Sequence, residues 1–155
     1  AAPLAAMAGE AMDRIARRVE AGDSEPSRAR YACVTNEKQK LVKAAVDLAD
    51  SIEGASIIVF TQRGVLAGYT AWFRPQKAQV FAFCPEPGIT RALHLNRAIC
   101  PFVMAFDPAN RKESIPKAVA ILKRKRLIRD GAPLVIISDV ISTESAMDSI
   151  VVQRA

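Results

Sequence analysis

Two continuous apolar runs, Ile57-Ile58-Val59-Phe60 and Leu134-Val135-Ile136-Ile137, constrain this chain more than any other feature. A strand with one wet face alternates apolar and polar residues. A run with no polar interruption must be covered on both faces, which happens when helices pack above and below a mostly parallel sheet. Around these runs the sequence alternates between periods. Amphipathic stretches precede or follow each short apolar segment, the pattern of a doubly wound α/β domain.

The first amphipathic stretch opens with Pro3 and carries Leu4, Met7, Ala8, Ala11, Ile15 and Val19, so it reads as a helix with proline in its first turn. Gly22 and the polar segment Asp23 to Ser27 end it and begin a linker running to residue 35. A second helix is expected from Asn36, with Gln39 completing a capping box, an apolar face of Leu41, Ala44, Ala45, Leu48, Ala49 and Ile52, and Gly54 past its end. Strand Ile57 to Phe60 then leads through Thr61-Gln62-Arg63-Gly64 into a helix containing Tyr69, Trp72 and Phe73. Further on come a strand over 78–83, a turn over 85–88, a helix over 90–96, a strand over 99–106, a helix capped by Ser114, and strand Leu134 to Ile137. The last strand, 149–153, follows a link too short for a crossover helix, so it should run antiparallel to its neighbour. The expected fold is therefore a three-layer αβα domain over 36–155, its five-stranded sheet mostly parallel with one antiparallel strand.

Net charge is +6, but the stretch from Arg111 to Arg129 alone holds eight basic residues against Glu113. The rest of the chain is near neutral, so the charge is a local patch. Lys123 to Arg126 follows an apolar helical stretch, and cations favour a helix C-terminus. No aromatic residue interleaves that run as base stacking would require, so nucleic acid is not the expected partner. No apolar run approaches the roughly 20 residues of a membrane span. Cys33, Cys84 and Cys100, odd in number and widely spaced, read as reduced thiols of a cytoplasmic protein. His94, the lone histidine, has no second ligand at metal-binding spacing, and no metal site is expected.

Several segments in order carry a resemblance: the opening Pro-Leu-Ala-Ala-Met helix ending Arg-Val-Glu, the polar linker, Ile57 to Gly64, Phe73-Arg74-Pro75, and Arg91, Leu93, Leu95 and Pro101. Together they resemble the C-terminal α/β domain of pyruvate kinase. Ala98 and Ile99 stand where that family usually has Gly and Val. The resemblance implies that 1–22 is the last helix of a catalytic barrel. It further implies that the barrel, absent here, supplies the catalytic residues, magnesium and potassium, so that this chain alone is inactive and holds no cofactor. On this reading the domain regulates and oligomerises the enzyme that transfers phosphoryl from phosphoenolpyruvate to ADP in glycolysis. Its partners would be the barrel and further copies of itself, with no membrane contact. The alternative is a free-standing protein of the same fold that binds a small phosphate ligand.

In the family, a sugar-phosphate effector sits on the turn after the first strand, here Thr61, Gln62, Arg63 and Gly64. The usual Ser before Gly is replaced by Arg63. The second wall is implied by the segment Ser138 to Asp148, with hydroxyls at Ser142 and Thr143. Asp139, Glu144 and Asp148 there would oppose an anion. The competing reading of the turn is purely geometric, a strand-to-helix connection that needs a glycine.

Overall fold

The computed structural model describes residues 2–22, 34–107, 111–141 and 146–155. The chain divides into two compact units, Ala1–Cys33 and Val34–Ala155. Within the first, helix α1 spans Ala2–Gly22, an Arg17–Asp13 pair at 2.8 Å braces one turn, and Met7, Met12 and Ile15 are exposed.

The second unit is one sheet with its helices. In chain order they are α2 (Glu37–Ser51), β1 (Ser56–Phe60), α3 (Val65–Phe73), β2 (Gln79–Cys84), α4 (Pro87–Leu93), β3 (Ile99–Val103), α5 (Arg111–Arg124), β4 (Pro133–Ile141) and β5 (Ala146–Arg154). The sheet order is β3-β2-β1-β4-β5. The first three pairings are parallel, and β5 runs antiparallel to β4. The expected three-layer αβα architecture is what forms. All five residues of β1 are buried, as the unbroken apolar run demands.

The two faces are filled by alternate residues. Ile58, Phe60, Phe81, Phe83, Leu134 and Ile136 join Ala118 and Leu122 of α5 in one core cluster. Ile57, Val59, Val80, Val135 and Ile137 point the other way and are fully buried as well. There α2 and α3 pack on β1 and β4.

Helix α2 starts as its sequence implies: Gln39 N–H donates to Asn36 Oδ1 at 2.8 Å, and Gln39 Oε1 accepts from the Asn36 N–H at 3.3 Å. Its buried face is the expected one only in part. Ala45 and Ala49 are buried as expected, together with Val42 and Val46, whereas Ala44 is exposed and Leu48 is 36% exposed. Both stripes have helical spacing, so periodicity alone cannot choose between them; the sheet does. Asp50 at the far end of α2 accepts N–H bonds from Gln76, Lys77 and Ala78 at 2.8–3.0 Å, tying α2 to the approach to β2.

Four other expectations need correction. The turn at 85–88 is already the start of α4, because Glu86 caps it through the Gly88 N–H and Pro87 suits a first helical position. That helix ends at Leu93, short of Asn96. Strand β3 stops at Val103, before Phe106. Ser114 lies inside α5 and donates to the Asp107 carbonyl at 3.4 Å instead of capping the helix.

Helix α5 closes with a specific C-terminal motif. Leu127 N–H returns to the Leu122 carbonyl at 3.0 Å and Arg126 N–H to the Lys123 carbonyl at 2.9 Å. This is the paired bonding of a Schellman ending, with Leu122 and Leu127 supplying its apolar contact. Arg126 occupies the left-handed position at φ 57, where glycine is the usual residue.

Candidate functional site

Strand order reverses between β1 and β4. From β1 the chain goes outward through β2 and β3, then crosses back to lay β4 on the other side. In such sheets the carboxyl ends of the strands open a crevice at the reversal, because the connecting helices leave in opposite directions. The turn Thr61 to Gly64 is at that place.

Each of its residues has a distinct setting. Thr61 is 1% exposed; its N–H donates to the Phe83 carbonyl at 3.0 Å, yet its Oγ1 has no hydrogen-bond partner among the described residues. A buried hydroxyl left unpaired costs roughly 1–3 kcal/mol, so this one needs an explanation. Gln62 is half-buried, and its carbonyl accepts the Cys84 thiol at 3.5 Å. Arg63 is exposed. Gly64 precedes α3 at φ 79, and a Cβ there would lie 3.0 Å from Ile89 Cγ2. Glycine is therefore fixed at this position by backbone conformation and by close packing against α4.

No side chain caps α3. The first-turn N–H groups of Val65, Leu66 and Ala67 lack intrahelical acceptors, and they sit at the positive end of the helix dipole with no acid in that turn. Unused amides, a buried unpaired hydroxyl and an exposed guanidinium thus share one strand-to-helix turn. That set suits a phosphate-sized anion.

The opposite wall differs from expectation. Asp139 belongs to β4 and Asp148 to β5, and the two are register partners in the hairpin. The connection shrinks to 142–145, so Ser142, Thr143 and Glu144 lie outside the described residues. Ser138, which pairs with Phe60 across β1 and β4, is buried and shares a 3.3 Å hydrogen bond with Ser149. The sequence places Ser138 at the start of the expected second wall, but not its pairing with Ser149, and Cys84 is the buried thiol expected of it, with its contact to the turn visible only in the fold.

The pattern of the family described as "Pyruvate kinase, alpha/beta domain" matches residues 39–153. The chain belongs to this family. Pyruvate kinase 2 of Synechocystis sp. is 28% identical over 120 residues, covering 77% of this chain and 20% of the relative. Chloroplastic pyruvate kinase isozyme A of Nicotiana tabacum is 24% identical over 110 residues, covering 71% and 18%. This chain thus spans about a fifth of the length of these relatives. The fold is similar to that of Cryptosporidium parvum pyruvate kinase solved in complex with ADP, with a TM-score of 0.71 and 20% identity over 79% of this chain and 24% of that one. Pyruvate kinase from Pyrobaculum aerophilum gives a TM-score of 0.59 at 24% identity, covering 77% and 24%.

The other candidate residues fall as follows. His94 is exposed just beyond α4. Cys84 is buried, while Cys100 is half-buried, its thiol pushed up by burial with Lys125 pulling the other way. Phe73 is in the core, and Trp72, packed against it at 4.9 Å between ring centroids, is 38% exposed. No described helix is long and apolar enough to cross a membrane.

Proposed function

We propose that this chain is the regulatory and oligomerising portion of a cytoplasmic pyruvate kinase, and that the turn Thr61 to Gly64 holds a phosphate of a sugar-phosphate effector. The observation that carries the effector reading is the buried Thr61 Oγ1 without a partner, next to an uncapped helix start at the strand-order reversal. A phosphate oxygen there would accept from the hydroxyl and the α3 amides, while Arg63 supplies charge. Phosphoryl transfer, with its magnesium and potassium, would belong to a barrel portion, against which α1 would lay its apolar stripe. Among the described residues of this chain, no His, Cys, Asp or Glu come together in a group that could hold a metal.

The oligomer would form through the sheet. Of its two edges, β3 carries Pro101 at its centre and so lacks one ladder donor, whereas β5 has no proline and leaves Val152 half-exposed. A second copy would add at the β5 edge. Sedimentation should show self-association that Val152→Lys reduces; monomers throughout would remove the oligomer from this reading.

Calorimetric titration tests the effector. Fructose 1,6-bisphosphate and ribose 5-phosphate should bind in competition with sulfate. Arg63→Ala should weaken binding roughly ten- to a hundredfold, the worth of one charge-assisted bond of about 1.5–3 kcal/mol. Failure of both ligands at millimolar concentration would leave the turn a structural connection.

A further inference from the structure

The opposite end of β1 has its own unpaired hydroxyl. Ser56 begins the strand and points to the same face as Ile58 and Phe60, continuing an apolar column with a polar group. It is 8% exposed and makes no side-chain hydrogen bond among the described residues. Its register partners on that face are Leu134 of β4, fully buried and without a polar group, and Gln79 of β2, which is exposed and makes no hydrogen bond to it.

Ser56 lines a cavity of about 250 Å³, together with Gly54, Leu127, Ile128, Arg129 and Ala132. One side is apolar: Ile128 is buried, Leu127 packs on the core cluster, and Ala132 contributes a methyl group. Arg129 is exposed and has no ionic partner among the described residues. Gly54 sits at φ 71 with no atom within 4 Å of where a Cβ would be, so the space beside it is open.

Three local features could oppose an anion here, and the first two are partly neutralised. Helix C-termini expose carbonyls, but those of Leu122 and Lys123 in α5 accept from Leu127 and Arg126, and those of Ala49 and Ile52 beside α2 accept from Ile52 and Ala55. The acid next to Arg129, Asp130, is held 2.7 Å from Lys123 Nζ, and that bond lowers its carboxyl below the ordinary value. Glu53 remains as an exposed acid beside Gly54.

We infer that this cavity at the amino end of the sheet binds a small carboxylate with a short apolar body. Arg129 takes the carboxylate, Ser56 donates one hydrogen bond to it, and the tail lies on Leu127, Ile128 and Ala132. A guanidinium matches a carboxylate by two parallel N–H bonds, and the volume admits only a few carbon atoms beyond it. This site is independent of the turn at Thr61. The five residues of β1 place the two about 16 Å apart at roughly 3.3 Å per residue.

Butyrate is the probe, titrated into the full chain and followed by amide chemical shifts. Shifts should centre on Gly54, Ser56, Arg129 and Ala132 and saturate in the millimolar range. Arg129→Gln, at an exposed position that leaves the fold intact, should weaken binding at least tenfold, and Ser56→Ala about threefold. Butanol and butylamine should not saturate the site. Absence of saturable shifts, equal binding of butanol, or binding unchanged in Arg129→Gln would each overturn the inference. Chloride or sulfate binding as well as butyrate would overturn it too, since neither uses the apolar wall.

Discussion

The two ends of strand β1 are built alike and solve different problems. Each has a hydroxyl without a hydrogen-bond partner among the described residues: Thr61 Oγ1, just past the end, is fully buried, whereas Ser56, at the start, is 8% exposed and opens on the cavity. Each has a left-handed glycine within three residues, Gly54 and Gly64. At the carboxyl end a helix begins, and the backbone itself supplies free N–H groups and positive potential. At the amino end a helix has just finished, the carbonyls of Leu48, Ala49 and Ile52 are engaged, and positive charge must come from a side chain, Arg129. One end can therefore bind an anion largely through main-chain donors. The other depends on one guanidinium and on shape.

The glycines give the sharpest way to break this comparison. Gly64→Ala should cost about 2–4 kcal/mol, combining a left-handed alanine with a methyl forced toward Ile89 at 3.0 Å. Gly54→Ala should cost only about 1–2 kcal/mol, because its φ of 71 is unfavourable but the space is empty. Urea unfolding midpoints at constant slope would measure both. Equal losses would mean that the close packing of α3 on α4 contributes nothing.

Much of this architecture is legible in the sequence. Unbroken apolar runs announced β1 and β4 because burial on both faces leaves no room for polar residues. The capping box at Asn36 was legible because its two bonds are local. The short link ahead of β5 announced the antiparallel pairing. What failed depended on tertiary context. The α2 face is legible only in part, at Ala45 and Ala49, because two stripes share one periodicity, and the end of β3 is not legible because Phe106 continues its composition but not its pairing. At the candidate site, the turn Thr61 to Gly64 could be read from its sequence. The burial of Thr61 and the paired hydroxyls of Ser138 and Ser149 could not, since each requires knowing which strands become neighbours.

Arg126 offers a smaller effect in the opposite direction. Four consecutive cations read as a helix end, and nothing in them disclosed a left-handed residue. Arg126→Gly should raise stability by about 0.5–1 kcal/mol, since glycine relieves the φ of 57 but loses more entropy on folding. Butyrate binding should be unchanged, because Arg126 does not line the cavity. A destabilised variant would mean the guanidinium makes a contact that outweighs the strain.

The described cysteines also divide between the two ends of the sheet, with Cys84 closing β2 and Cys100 near the start of β3. Burial raises the Cys100 thiol above its ordinary value, so less thiolate is present at pH 8 and alkylation should run several-fold slower than for a free peptide thiol. Lys125 acts in the other direction, so Lys125→Met should slow the reaction a little further. Mass spectrometry of a timed iodoacetamide reaction reads both, and a rate equal to the peptide's would contradict the burial.

The effector account rests on Thr61, and scanning calorimetry of Thr61→Val with and without fructose 1,6-bisphosphate tests it most directly. Replacing an unsatisfied buried hydroxyl by a methyl of similar shape should raise the ligand-free melting temperature, by a gain of about 1 kcal/mol. The same change should remove most of the ligand-induced rise expected of the unaltered chain, because in the proposed site this hydroxyl would donate to the phosphate. A lower ligand-free melting temperature, with the ligand-induced rise intact, would show that Thr61 Oγ1 serves the fold and not the ligand.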